Sequence, residues 1–193
     1  MNPAPHSLTA TAKEELLALA RFTLQRYLTT RELPPYNPNH SELNAPAGAF
    51  VTLHRRKELR GCIGQVLPES PLYVTVQRCS VSAAVEDSRF TPVNADELPE
   101  IGIEISVLST LERVHDLAAI EVGRHGLMIS RGGRRGLLLP QVATEHGWDR
   151  NTFLAQTCRK ASLPPDAWRD PSTIIEAFAA DFFSEESFRR SIN

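Results

Sequence analysis

The chain has 193 residues, 41% of them hydrophobic and 23% charged, with a net charge of -2. That length suits one packed core and is too short for two independent domains of ordinary size. The small net charge gives no overall pull toward nucleic acid or an anionic membrane, and no stretch approaches the roughly eighteen apolar residues of a membrane span. The first twenty residues lack the basic and then apolar run of a secretion signal, so the expected location is the cytoplasm and no membrane partner is expected. Cys62, Cys79 and Cys158 lie far apart with no C-x-x-C pair. They read as reduced thiols, not a disulfide framework or a zinc knuckle.

In chain order, Thr11 and Glu14 have capping-box spacing, and Leu16, Ala20, Leu24 and Leu28 follow every four residues, which predicts an amphipathic helix over about 12–29. Residues 30–47 hold Pro34, Pro35, Pro38 and Pro46 among turn formers and read as an extended loop. The runs 48–53 and 59–66 are β-type and flank Arg55-Arg56-Lys57-Glu58, which predicts a hairpin. Ser70 as cap and Pro71 as first residue open a helix that carries Leu72, Val76, Cys79 and Ala83 on one stripe and ends near Glu86.

Ile101, Ile103, Ile105 and Val107 alternate with Gly102, Glu104 and Ser106, the period of a strand with one buried face, so Glu104 lies on the other face. Residues 126–130 and 136–139 flank the glycine turn of RGGRRG and predict a second hairpin. Pro140 opens a short helix ending at Gly147. Asp149 caps another with Phe153, Leu154, Thr157, Cys158 and Ala161 inside. Residues 173–183 fit a two-residue or a four-residue period equally.

The chemistry-bearing groups each carry two readings. In LRGCIG, residues 59–64, Cys62 stands between Gly61 and Gly64 beside Arg60. Glycine weakens a strand, so something must approach the backbone closely there. A thiolate stabilised by Arg60 would be a nucleophile or soft ligand; the plainer reading is a small buried hydrophobe. Asp87, Arg89 and Phe90 share a turn that either grips an anionic or planar ligand through the guanidinium or pairs locally to hold itself. Glu104 is a general acid or base if partly desolvated, and otherwise a solvated carboxylate. His125, between Arg124 and Gly126, suits proton transfer. No H-E-x-x-H motif or close His/Asp cluster is present, so no metal is assigned, and no phosphate-binding glycine pattern points to a nucleotide; the sequence names no cofactor. RGGRRG, as a single copy between strands, reads as a basic turn before it reads as RNA binding.

Taken together, GAFVTL at 48–53, LRGCIG at 59–64, Asp87-x-Arg89-Phe90, IEISVL at 103–108, HGL at 125–127 and GLLLPQVA at 136–143 resemble the AMMECR-one domain family, whose prokaryotic members are called AmmeMemoRadiSam system protein A. The resemblance implies one AMMECR-one domain over 1–193, an α+β fold with an antiparallel sheet packed by helices, and a larger and a smaller lobe. It also favours a strand at 173–183, and it implies a cleft near LRGCIG. It raises the functional reading of Cys62, with Glu104 and His125 as candidate catalytic groups and Arg60, Gly61, Gly64, Asp87 and Arg89 as candidate ligand-binding residues. Ser88 departs from the family's usual proline between the acid and the arginine. The family name implies association with a Memo-like protein and a radical SAM protein, and it supplies no reaction. Three functions follow: a partner in such an assembly, a small-molecule enzyme or carrier that takes an anionic ligand, and, least supported, nucleic-acid binding through Arg131, Arg134 and Arg135.

Overall fold

The computed structural model describes residues 8–187. They form two compact units, one of residues 8–107 with 181–187 and one of residues 108–180. Each combines antiparallel strands with packed helices, so the α+β class expected from the sequence holds.

In the first unit, helix α1 spans Ala10–Thr30 and buries Leu16, Leu17, Ala20 and Leu24. Its cap is Thr9, not Thr11. The Thr9 hydroxyl accepts the Ala12 N–H at 3.3 Å and donates to Glu42 at 2.8 Å. One side chain thereby starts the helix and ties down a turn at Ser41–Asn44 that the proline-rich loop hides from sequence patterning. Glu15 on α1 fastens the same loop, accepting from the Tyr36 hydroxyl at 2.8 Å and the Asn39 N–H at 2.7 Å, and meeting the His40 ring.

Strands β1 (Ala49–Arg55) and β2 (Glu58–Gln65) form the first hairpin, with β3 (Ile101–Leu108) on the far side of β1. Ala49, Val51 and Leu53 of β1 and Ile101, Ile103 and Ile105 of β3 are buried in one core with α1 and α2 (Leu72–Val85). Pro71 is the cap of α2 itself and not its first residue. By alternation Phe50, Thr52 and His54, with Gly102, Glu104 and Ser106, occupy the opposite face of the sheet. The hairpin register jumps from Leu53↔Gly61 to His54↔Leu59, so Arg60 is the extra residue of a bulge.

In the second unit, β5 (His125–Arg131) pairs with β6 (Arg134–Leu138) through a turn at Gly132 and Gly133, whose φ values of 55° and 79° suit glycine. The other edge of β5 pairs with β7 (Ile174–Ser184), and the two-residue β4 (Glu112–Arg113) lies beyond. The long apolar run is therefore a strand. Helices α3 (Pro140–Glu145) and α4 (Arg150–Lys160) flank this sheet, α4 capped by Asp149 as its sequence indicates. Leu127, Ile129, Phe153, Leu154, Cys158 and Ala177 make its core. Among the described residues no helix is long and apolar enough to cross a membrane.

Candidate functional site

The two glycines of LRGCIG do admit close neighbours, and the neighbours belong to the protein. A Cβ on Gly61 would lie 2.0 Å from the Ala83 carbonyl oxygen, so Gly61 lets helix α2 settle directly on β2. A Cβ on Gly64 would lie 2.2 Å from the ring of Phe50, its cross-strand partner, so Gly64 gives that ring its seat. Gly61 thus serves the helix-covered face, and Gly64 the face opposite.

Arg60 does not accompany the thiol. Displaced by the bulge, its guanidinium forks onto Glu97 through Nε and Nη2, both at 3.1 Å, and donates to the Thr91 carbonyl at 2.8 Å through Nη1. The pair is largely buried, at 14% and 13% side-chain exposure, and the guanidinium holds the Glu97 carboxyl below the usual range. The reading of a Cys62 thiolate stabilised by Arg60 is corrected, since that guanidinium is engaged by Glu97 and Thr91; Arg60 lines a depression with Arg55, Glu58 and Leu59, while Glu104 lines a different one. Glu97 comes from a 3-10 turn over Ala95–Glu100, where no hydrophobic period announces a partner.

The cation beside Cys62 is Arg89, and it acts on the backbone. Asp87 is buried and accepts the Cys62 N–H at 2.9 Å. Arg89 forks onto Asp87 at 2.9 and 2.7 Å and donates to the Cys62 carbonyl at 3.3 Å. The guanidinium, chiefly, keeps the Asp87 carboxyl well below the usual carboxylate range, against the opposing effect of its burial. This acid and base satisfy both polar groups on the outer edge of β2, as a neighbouring strand would. Arg89 also lies over the Phe90 ring, 5.4 Å from its centroid. Ser88 is exposed between the two and does not loosen the pair.

The Cys62 side chain is half-buried and lies on the face away from the helices. Thr52 stands opposite it and donates a hydrogen bond to the sulfur at 3.3 Å, and Glu104 stands opposite Thr52 on the other side. A thiol, a hydroxyl and a carboxylate therefore form one row across three strands. Glu104 lines a depression of about 400 Å³ together with His54, Gly102 and the turn residues Arg56 and Lys57. The other thiols are sealed: Cys79 is 4% exposed, its pKa pushed up to about 11 by burial, and Cys158 is fully buried and also raised by burial.

His125 belongs to the second unit and is fully buried. Its Nδ1 accepts the Glu121 N–H at 3.2 Å, its Nε2 has no hydrogen-bond partner among the described residues, and burial lowers its pKa. In the same unit Arg131 pairs with Asp170 at 2.9 Å and Arg134 donates to the Ser162 carbonyl at 2.9 Å, and Arg134 and Arg135 are the exposed arginines of RGGRRG. Among the described residues no three His, Cys, Asp or Glu side chains gather as a metal site.

Sequence reasoning passed over Thr52 and His54. The signal was present: Val51-Thr52-Leu53-His54 alternates in polarity, and the even positions share their face with Glu104.

Comparison with known proteins places these features. The family model AMMECR1 matches residues 17–183. A protein of Thermococcus gammatolerans is 45% identical over 184 residues, covering 90% of each chain. A protein of Pyrococcus furiosus is 45% identical over 184 residues, covering 90% of this chain and 88% of its own. The crystal structure of the uncharacterized protein PH0010 from Pyrococcus horikoshii is similar with a TM-score of 0.88 at 40% identity, over 93% of this chain and 94% of that one. With most of its length matched by the family model and its fold repeated in a solved relative, the chain belongs to the AMMECR1 family.

Proposed function

We propose that this protein acts as a non-catalytic member of an assembly, with the partners that its family resemblance implies, a Memo-like protein and a radical SAM protein. One observation carries the reading: the groups of LRGCIG that would grip a ligand are already engaged inside the unit. Arg60 is held by Glu97 and Thr91, Gly61 lies against α2, Gly64 lies under Phe50, and the Cys62 backbone is closed by Asp87 and Arg89. Residues fixed in this way make a rigid frame for docking and leave few free groups for binding an anion. The test is affinity capture of the tagged full chain, co-expressed with each candidate from the same genome, under reducing and anaerobic conditions. Retention of either partner at near-equal amounts is expected. Absence of both ends the proposal.

A second reading rests on the row of Cys62, Thr52 and Glu104. In it the thiol is the nucleophile and the carboxylate accepts a proton. Alkylation of Cys62 in the folded protein faster than a free model thiol at neutral pH supports it, and a rate equal to or below the model thiol removes it.

A further inference from the structure

Of the ten glycines, every one except Gly102 either has a left-handed backbone or would place a Cβ within 3.0 Å of a neighbour. A Cβ on Gly102 would meet nothing within 4 Å, and the residue has ordinary strand geometry. Glycine inside a strand weakens it, and neither packing nor conformation demands one here. What the missing side chain leaves is a notch on the open face of the sheet, beside the cross-strand partner His54 and two residues from Glu104, at the floor of the depression of about 400 Å³.

The rim of that depression carries both signs of charge. Arg56 is held by Glu100 at 3.0 Å, while Glu104 and Lys57 make no ion pair among the described residues. Lys57 and Arg56 occupy the two turn positions with φ of 71° and 52°, a conformation that asparagine and glycine adopt without strain. Two long cations there bear strain, as residues at ligand-binding turns do. Glu104 pairs with Thr52, and β1 runs on three residues from there, past the Gly102 partner His54, to Arg55 before the turn that carries Lys57, roughly 10 Å at the rise of a strand.

We propose that the depression binds a small linear zwitterion, its ammonium on Glu104, its carboxylate on Lys57 and its chain lying over Gly102. The separation calls for charges several bonds apart, as in a dipeptide or an ω-amino acid, and excludes a molecule as short as glycine. The site does not depend on assembly with a partner, so partner capture and ligand titration fail independently.

The test is titration of the isotope-labelled full chain with 6-aminohexanoate, glycylglycine and glycine, read by amide chemical shifts and by melting temperature, for the native protein, Gly102→Ala and Glu104→Gln. Saturable shifts at Gly102, Glu104 and Lys57 are expected with either longer probe, and which one acts tells a flexible chain from a peptide. Gly102→Ala should melt at the same temperature or higher yet bind at least tenfold more weakly, and Glu104→Gln should also lose at least tenfold. The proposal is overturned if neither longer probe shifts these amides, if glycine binds as well as they do, if Gly102→Ala binds like the native protein, or if it melts lower, which would give Gly102 a structural reason after all.

Discussion

Asp87 accepts the backbone N–H of Cys62 across 25 residues of sequence, at 2.9 Å. With Arg89 on the Cys62 carbonyl, a bound pair of side chains stands where the next strand of the sheet would be. The start of β3 uses the same device. Glu185 accepts the Ile103 N–H at 3.1 Å, and Arg21, forked onto Glu185, donates to the Ile101 carbonyl. Exposed strand edges invite pairing with other chains, and an acid held by an arginine closes the β2 edge here with charge-assisted bonds.

The first prediction concerns that clamp. Asp87→Asn leaves Arg89 without its fork and weakens the hold on the Cys62 N–H, and losing charge-assisted hydrogen bonds to a buried carboxylate costs about 2 kcal/mol. Arg89→Ala should cost less, because its side chain is 55% exposed and water replaces it. Urea unfolding of both variants gives the order. The Asp87 pKa lies below its ordinary value of 3.8, so its contribution is complete above pH 3.8 and declines as the pH falls below it. The gap between native protein and Asp87→Asn should therefore narrow in acid.

The second prediction separates the two glycines of LRGCIG. An alanine at 61 strikes the Ala83 carbonyl at 2.0 Å, a backbone atom in the last turn of a packed helix. An alanine at 64 strikes the ring of Phe50, a half-buried side chain that can swing aside. Gly61→Ala should lose about 3 kcal/mol and Gly64→Ala about 1 kcal/mol, within the range of overpacking changes. Equal losses in thermal unfolding would contradict this account of why the motif holds glycine.

How much of this could be read in advance depended on how local each cause was. The alternation of β3 put Glu104 on the open face, and Asp149 announced α4, because both signals lie within a few residues. Asp87 and Arg89 were visible as a pair. Their use on Cys62 was not, because it joins a turn to a strand edge that only folding brings together. Arg60 misled for the same reason: a bulge between Leu53 and His54 removes it from simple alternation, and its partner Glu97 lies 37 residues away. His125 sat between residues that suggest an open loop, yet it begins β5 and is sealed there.

The third prediction concerns the thiols. Only Cys62 of the three is not buried. Iodoacetamide on the folded protein should modify one site, located at Cys62 by peptide mass spectrometry, and unfolding should release the other two. The Cys62→Ser variant should take up no label until it unfolds. Early labelling of Cys79 would contradict its burial and its pKa of about 11.

The last prediction concerns His125. With Nδ1 accepting the Glu121 N–H, the neutral ring carries its proton on Nε2, and no described residue receives it. Burial is the main cause lowering its pKa, with Arg124 acting in the same direction and Glu121 and Glu112 opposing. The unfolded chain therefore binds this proton more readily than the folded one. The stability that comes from keeping the ring neutral is complete above the ordinary value of 6.5 and is lost as pH falls from there through the folded pKa. Melting temperatures between pH 7.5 and 5.5 should fall for the native protein and fall less for His125→Phe, which keeps the volume and cannot take up a proton. Parallel declines in the two proteins would place the acid sensitivity elsewhere.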